Sequence, residues 1–473
     1  MKKKNKILII IVFILIAIFL LNNRTTTLSF FKYYAPQKIG EKVKEIVNIF
    51  SLYKDLKEKH LNLQIRFNNI IDNEEKLPIY SEDEEKIVKI ADKEFYLKTF
   101  SIPFFLTSKN LLAETFGSFY MDFYKKDLFV VSGNGLFSYI NIDEFKKKES
   151  ELITITTNIK KIIKYNEFYT ESRFGVKDLL IIDDEIYISY IKSINGEKDC
   201  FNTSILKAKI NFKKIEFKEF FTGTSFVCKS YVDFNAHSSG GRIVNYDDDN
   251  ILLSTGEFLD RTKAQNLNNT LGKIIKINKK SSNYEIISFG HRNVQGLFFN
   301  KNNNTIYSSE HGPDGGDEIN INNLDEKKLP KNFGWPIASY GEHYGGKSTL
   351  NKLTRYIKSP LLKSHNENGF IEPLKYFVPS IGISEIIGID LRNESGEKNI
   401  NILASSLGWT DRGGMSLYYM EFENNKLKYE SVTKIFHRIR DMIYKKSSNT
   451  IFVSLQKKDS LPKIGILYQK MPE

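Results

Sequence analysis

His237 and Arg242 in "NAHSSGGRI", Glu257 in "STGEF", His291, Arg292 and Asn293 in "GHRNVQGL", Trp335 in "NFGWP", and His437, Arg438 and Arg440 in "FHRIRDM" stand in short polar clusters between apolar runs. A longer cluster, "SSEHGPDGGDEININ" from Ser308 to Asn322, holds more glycine and carboxylate than a solvated hairpin tip requires. These residue types suit a definite chemistry. A neutral histidine takes a proton near pH 7. Arginine forks bind a polyanionic ligand bidentately. Asp314, Asp317 and Glu318, with exposed loop carbonyls, suit a hard cation such as calcium. The spacing is not that of an EF-hand, so a calcium site here is assembled across loops. Each cluster alone also has a plainer reading. His237 can be a surface or core histidine, and the loop acids can cap a turn. Arg438 and Arg440, two apart on a strand and so on one face, can pair with nearby carboxylates.

The elements that must position these clusters are strands. Beyond about residue 60, sustained helical periodicity is rare, and short runs of Ile, Val, Phe and Tyr alternate with Asn, Asp, Gly and Lys clusters. "LLIIDDEIYISY", "IVNYDDDNILLST", "LFFNKNNNTIYSSE" and "MIYKKSSNTIFVSL" repeat one pattern: an apolar strand, a polar turn, then a strand with Ser or Thr at or near its end. Such recurrence points to an all-β propeller of about six blades, whose loops converge on a central channel. The expected organisation is a membrane anchor or signal peptide over 1–23, a partly helical stalk or extension over 24–104 and the propeller over 105–473. The stalk rests on the helical spacing of apolar residues in "KIGEKVKEIVNIFSLYKDLKEKHLNL".

The net charge of +12 comes from lysines scattered among acidic residues, and no zinc finger, RNA-binding motif or basic helix accompanies it, so nucleic acid is not an expected partner. At the N-terminus, "MKKKNK" precedes an unbroken apolar run from Ile7 to Leu21, and no small-x-small cleavage site follows. The expectation is an exported protein on the periplasmic side, held to the inner membrane by residues 7–21 with the lysines inside; a cleaved signal is the alternative. Cys200 and Cys228 lie in the exported part, either bonded to each other or free. Neither has a histidine at zinc-ligand spacing.

In order along the chain, "HSSGGRI", "LGKIIKI", "GHRNVQGL", "EHGPDGGDEIN", "NFGWP", "YFVPSI" and "RIRDM" resemble the motifs of the soluble glucose/sorbosone dehydrogenase family. Its members, among them the aldose sugar dehydrogenases, are six-bladed propellers using pyrroloquinoline quinone and calcium. The resemblance covers roughly residues 230 to 455. It implies His237 as the base taking the proton of a sugar's anomeric hydroxyl, with a respiratory acceptor receiving the electrons. It implies Arg292, Asn293, His311, Arg438 and Arg440 as contacts of the quinone. The carbonyls of Gly312 and Pro313 would hold calcium, with Asp317 and Glu318 in the same loop. The physics agrees, since a tricarboxylate quinone needs cationic partners and a Lewis acid makes it a better hydride acceptor.

The chain also departs from the family pattern. Arg242 follows His237 by five residues where four is usual, Glu257 replaces an aspartate, and "GISE" (Gly382 to Glu385) replaces "APSG". Gly408 and Trp409 stand where the dehydrogenases carry a cofactor-binding lysine. A quinoprotein dehydrogenase acting on an aldose or polyol is therefore weighed against a non-catalytic, calcium-stabilised propeller that binds a carbohydrate or protein partner. A propeller hydrolase ranks last, because no ring of carboxylates around a channel cation is visible in the sequence.

Overall fold

The computed structural model describes residues 55–56, 59, 74–81, 85–102, 118–163, 175–194, 200–228, 237–326, 329–344, 350–391, 399–457 and 460–470. The chain divides into two compact units, Met1–Phe67 and Asn68–Glu473. In the first unit the described residues are helical, and Lys59 pairs with Asp55 one turn earlier at 2.9 Å. The apolar run 7–21 and most of the expected stalk lie outside the described residues. Among the described residues no helix is long and apolar enough to cross a membrane.

The second unit is all-β with a few short helices. Its apolar runs form antiparallel meanders, each stepping outward from an innermost strand. These innermost strands are β1 (Phe119–Tyr124), β2 (Val176–Ile182), β3 (Gly240–Asn245), β4 (Val294–Asn300), β5 (Ile383–Gly388) and β6 (Arg438–Lys445). Each neighbours the next, and β6 returns to β1, closing a ring. Strands near the axis are covered on both faces, so they read as nearly continuous apolar runs; in Asn250–Thr255 every residue after Asn250 is buried. The outermost Lys426–Lys434 instead alternates, with lysines in solvent along an edge.

The ring is sealed by the two ends of the unit. Lys93–Ser101 supplies the outer strand of the last meander, pairing with Lys463–Tyr468 in register from Tyr96↔Tyr468 to Ser101↔Lys463. Lys76–Ser81 pairs with Glu149–Thr154 of the first meander, burying Leu77 and Ile79 on one face. The sheets thus recruit strands upstream of residue 105, where short alternating runs are diluted by Lys and Glu. Cys200 and Cys228 are bonded to each other and sit opposite one another on paired strands.

Each of the four hairpin repeats seen in the sequence is the innermost hairpin of its meander, as with β2 and Glu185–Ile194. Their polar turns include left-handed Asp183, Asn304 and Asn449, a conformation that Asn and Asp tolerate. The Ser residues on the second strands fasten one meander to the next. Ser189 donates to the Gly241 carbonyl, Ser254 to that of Val294 at 3.2 Å, and Ser309 to that of Ser384.

A β-bulge interrupts the innermost hairpin at Ser189, and others lie opposite Ser254, Ser309, Ser405 and Ser454. Register shifts fall between Ser189 and Tyr190, Gly240 and Ile243, Val294 and Gly296, Ile383 and Ile386, and Ile439 and Met442. Bulges re-aim side chains, and these carry Arg242, Gln295, Glu385 and Asp441. They also interrupt the plain alternation expected between Arg438 and Arg440. Arg242, 6% exposed, is the meeting point. Its Nη1 lies 2.7 Å from both Asp178 of β2 and Asp441 of β6, and its Nη2 lies 2.5 Å from Glu385 of β5. Nε donates to the Gln295 carbonyl of β4 at 3.2 Å, and the guanidinium stands over the Tyr120 ring of β1. Burial pushes the Asp178 and Glu385 carboxyls above their ordinary range, against the pull of Arg242.

Removing one partner of a buried ion cluster leaves the others uncompensated, which costs roughly 3–5 kcal/mol. Arg242→Met is therefore expected to lower the unfolding free energy measured by urea titration by that order. The deficit should be smaller at acid pH, where the stranded carboxylates take protons, than at alkaline pH. Equal deficits at both would show that the carboxylates do not depend on Arg242 for their charge.

Candidate active site

Four of the residues singled out in the sequence line one cavity of about 1030 Å³: His237, Arg292, Asn293 and His311. They come from three separate loops, before β3, before β4 and after Thr305–Glu310. Arg438 and Arg440 do not line it. Arg440 reaches it indirectly, since its Nη1 donates to Gln295 Oε1 at 3.4 Å and Gln295 Nε2 donates to Asn293 Oδ1 at 2.9 Å.

Beneath the cavity the side chains are held by a dense polar network. Asn293 Oδ1 also accepts the Gly240 N–H at 3.0 Å, so its oxygen is committed on the ring side and its amide donors are left over. Arg292 Nη1 donates to the His311 carbonyl at 2.7 Å, and its guanidinium stands over the Trp335 ring at 5.5 Å. Fully buried His291 is structural, bridging Ser288 and Glu310 at 2.8 and 2.9 Å and stacking on Phe333. Glu310 also accepts the Arg292 N–H. Glu257, buried near Arg292 and Arg261, is pushed up to about 7 by burial, with both arginines opposing. The Trp335 indole favours the charged form too, although neither Trp335 Nε1 nor Glu257 Oε2 closes a hydrogen bond. His437, pushed down by burial, keeps contact with the Ile435 carbonyl and lies outside the cavity lining.

The Ser308–Asn322 loop is closed on Asp317. Its carboxylate accepts the Gly312 N–H at 3.0 Å and the Ile383 N–H at 2.9 Å, and His311 Nδ1 lies 3.4 Å away. Burial pushes this carboxyl up, but His311 and the donors outweigh it and hold it below its ordinary range. Glycine is required at 312, where a Cβ would stand 2.0 Å from the Gly316 carbonyl oxygen. The Pro313 carbonyl accepts from Ser380 Oγ at 3.2 Å. Glu318 lies outside the cavity lining, 3.7 Å from His365 and 3.3 Å from the Asn320 amide, and burial beside Glu310 raises it well above the carboxylate range. Among the described residues there is no group of three His, Cys, Asp or Glu side chains placed to hold a metal. A cation on this loop would rest chiefly on main-chain carbonyls, a donor set compatible with calcium.

The other wall of the cavity is one that sequence reasoning missed. It comprises Leu259–Thr262, Gln265, Tyr344 and the end of helix α1 (Leu350–Lys358), with Arg261, Arg355 and Lys358 among the lining. The only sequence sign was the basic pair three apart in "TRYIK". Among the departures, Gly382 and Gly408 prove to be coupled. The Gly408 N–H donates to the Ile381 carbonyl, and a Cβ at 408 would stand 2.3 Å from that oxygen. Trp409 beside it is 55% exposed and is not in the cavity.

The family model described as Glucose / Sorbosone dehydrogenase matches residues 145–462. Aldose sugar dehydrogenase YliI of Escherichia coli is 32% identical over 158 residues, 31% of this chain and 38% of that protein. A Synechocystis protein, slr1608, is 28% identical over 227 residues, 43% of this chain and 50% of its own length. The chain thus spans about half or less of these curated relatives. The apo crystal structure of the soluble E. coli aldose sugar dehydrogenase superposes with a TM-score of 0.54 at 19% identity, over 75% of this chain and 96% of that one, a likeness of fold.

Glu257 binds its proton in the folded protein up to about pH 7 and in the unfolded chain only to about 4.5. Across that window the native state holds more protons, so this contribution to stability is lost as pH rises. Melting temperatures of wild type and Glu257→Gln are expected to diverge, wild type losing ground to the variant from acid to neutral pH. Parallel curves would remove Glu257 as the titrating group.

Proposed function

Because the chain belongs to the glucose/sorbosone dehydrogenase family, we propose that it is a sugar dehydrogenase that oxidises an aldose or related polyol with pyrroloquinoline quinone and calcium. The observation that carries this reading is the convergence of His237, Arg292, Asn293 and His311 on one cavity. We read the six meanders as the blades of a propeller and the cavity as the mouth of its channel. When bound, the quinone supplies a two-electron acceptor. Arg292 and the free amide donors of Asn293 suit its acidic and carbonyl oxygens. His237 takes the proton of the substrate's anomeric hydroxyl. His311, braced by Asp317, fixes the loop whose Gly312 and Pro313 carbonyls would hold calcium.

Export to the periplasmic side and attachment to the inner membrane through residues 7–21 complete the proposal, with a respiratory acceptor taking the electrons. The Cys200–Cys228 bond supports an oxidising compartment. One observation favours the second reading, a calcium-stabilised binding propeller without catalysis. Position 408, where the family's dehydrogenases carry lysine, is pressed against the Ile381 carbonyl and has no room for a side chain.

Titration of the purified chain with pyrroloquinoline quinone and calcium, followed by absorbance, then by a sugar panel with an artificial acceptor, separates the two. Quinone binding with sugar-dependent reduction is expected, and loss of binding would leave the binding propeller. His237→Ala should lower turnover by roughly 10²–10⁴-fold, the usual contribution of a general base, with quinone binding retained. Chelator should lower the melting temperature and added calcium restore it; an unmoved midpoint would count against the loop site.

A further inference from the structure

The cavity carries more positive charge than the quinone contacts account for, and the surplus is built rather than scattered. Arg261 is held in place on two sides. Its guanidinium stands over the Trp335 ring at 5.3 Å, and its Nη1 donates to His343 Nδ1 at 2.8 Å. His343 is fully buried. Its Nε2 donates to the Ser359 carbonyl at 2.8 Å, and its ring meets Tyr356 edge-on. Burial and the neighbouring Arg261 and Arg355 push the imidazole down, so it stays neutral and accepts from Arg261. The same histidine therefore ties Arg261 to the C-terminal end of α1, the turn that brings Arg355 and Lys358 to the cavity.

None of these three cations has a carboxylate within ion-pair distance among the described residues. The one acid in the lining, Asp260, is taken up by Thr262 Oγ1 at 2.6 Å. An oriented arginine with unused donors, joined by two further cations at the rim of a cavity, is a receptor for an anion. Glu257, buried near Arg261, is the one carboxyl among the described residues that acts on it at a distance, and a neutral sugar would offer none of the three a charged partner.

From this we infer that Arg261, Arg355 and Lys358 form an anion subsite, and that the substrate is a sugar bearing an acidic group, a phosphate or a carboxylate, rather than a neutral aldose. The inference rests on the dehydrogenase reading for the word substrate, but the subsite is testable without turnover.

Calorimetric titration of the full chain, without quinone, compares glucose, glucose 6-phosphate and glucuronate at low and high salt. At least one acidic sugar should bind about tenfold or more tightly than glucose, as two charge-assisted contacts would give, and salt should erode the difference. Whichever acidic sugar binds identifies phosphate or carboxylate as the group read. The double variant R355A/K358A, checked for an unchanged melting temperature, should lose the preference. Equal binding of glucose, no binding of any of the three, or a preference that survives in the double variant would overturn the subsite. So would a parallel fall in quinone affinity, which would give these cations to the cofactor. Failure of every sugar to reduce an acceptor, with the binding preference intact, would instead sink the dehydrogenase reading and leave the subsite standing.

Discussion

One guanidinium organises the ring. Arg242 meets carboxylates from β2, β5 and β6, a carbonyl from β4 and an aromatic face from β1, while itself belonging to β3. At the axis of a closed ring of sheets, side chains from every innermost strand converge. An apolar plug would have to fit all of them at once. A buried cation instead gives directional bonds to several strands, at the cost of desolvating charges that are only worth burying when every partner is present. The carboxylates repay this by doing double duty, since Asp178 also accepts the Ile243 N–H and Asp441 that of Met121. Both of these acids thus tie their own strand to the next.

That core reaches the site through a short relay. Arg242 and Arg440 both address Gln295, Gln295 addresses Asn293, and Asn293 presents what remains of its amide to the cavity. Arg440 therefore has a part in the site without touching the cavity, because the bulge between Ile439 and Met442 turns it into the network. The same device at Gln295 and Glu385 explains why polar residues appear inside otherwise apolar strands. Rigidity at the axis and orientation of the cavity donors are one arrangement, and pre-oriented donors bind with less ordering cost.

Much of this was legible in the sequence. The hairpin repeats were visible because the innermost strands are the most apolar and their turns need Asn or Asp. The convergence of His237, Arg292, Asn293 and His311 was legible because all four sit in loops at strand ends. The role of Arg242 was not, since pairing among residues 178, 242, 385 and 441 depends on bulges that leave no local signature. The strands over 76–101 were hidden by Lys and Glu on their solvent faces. The basic wall of the cavity was hidden for another reason. Arg261 matters only because Trp335 and His343, more than seventy residues away along the chain, hold it.

The Gly382 that opens "GISE" and Gly408 belong to one backbone crossing. Gly382 accepts the Leu407 N–H through its carbonyl, and a Cβ at Gly382 would meet Gly408 N at 2.6 Å, so the two glycines permit one close backbone crossing. The Glu385 that ends "GISE" is the acid that β5 contributes to Arg242. The "GISE" segment is therefore committed to the ring through Glu385. The crossing leaves no room for a side chain at 408, whereas the Trp335 platform carries two cations, Arg261 and Arg292, at 5.3 and 5.5 Å. The positive charge lining the cavity thus comes from Arg261 and Arg292, which flank the Trp335 ring, and from Arg355 and Lys358 at the end of α1.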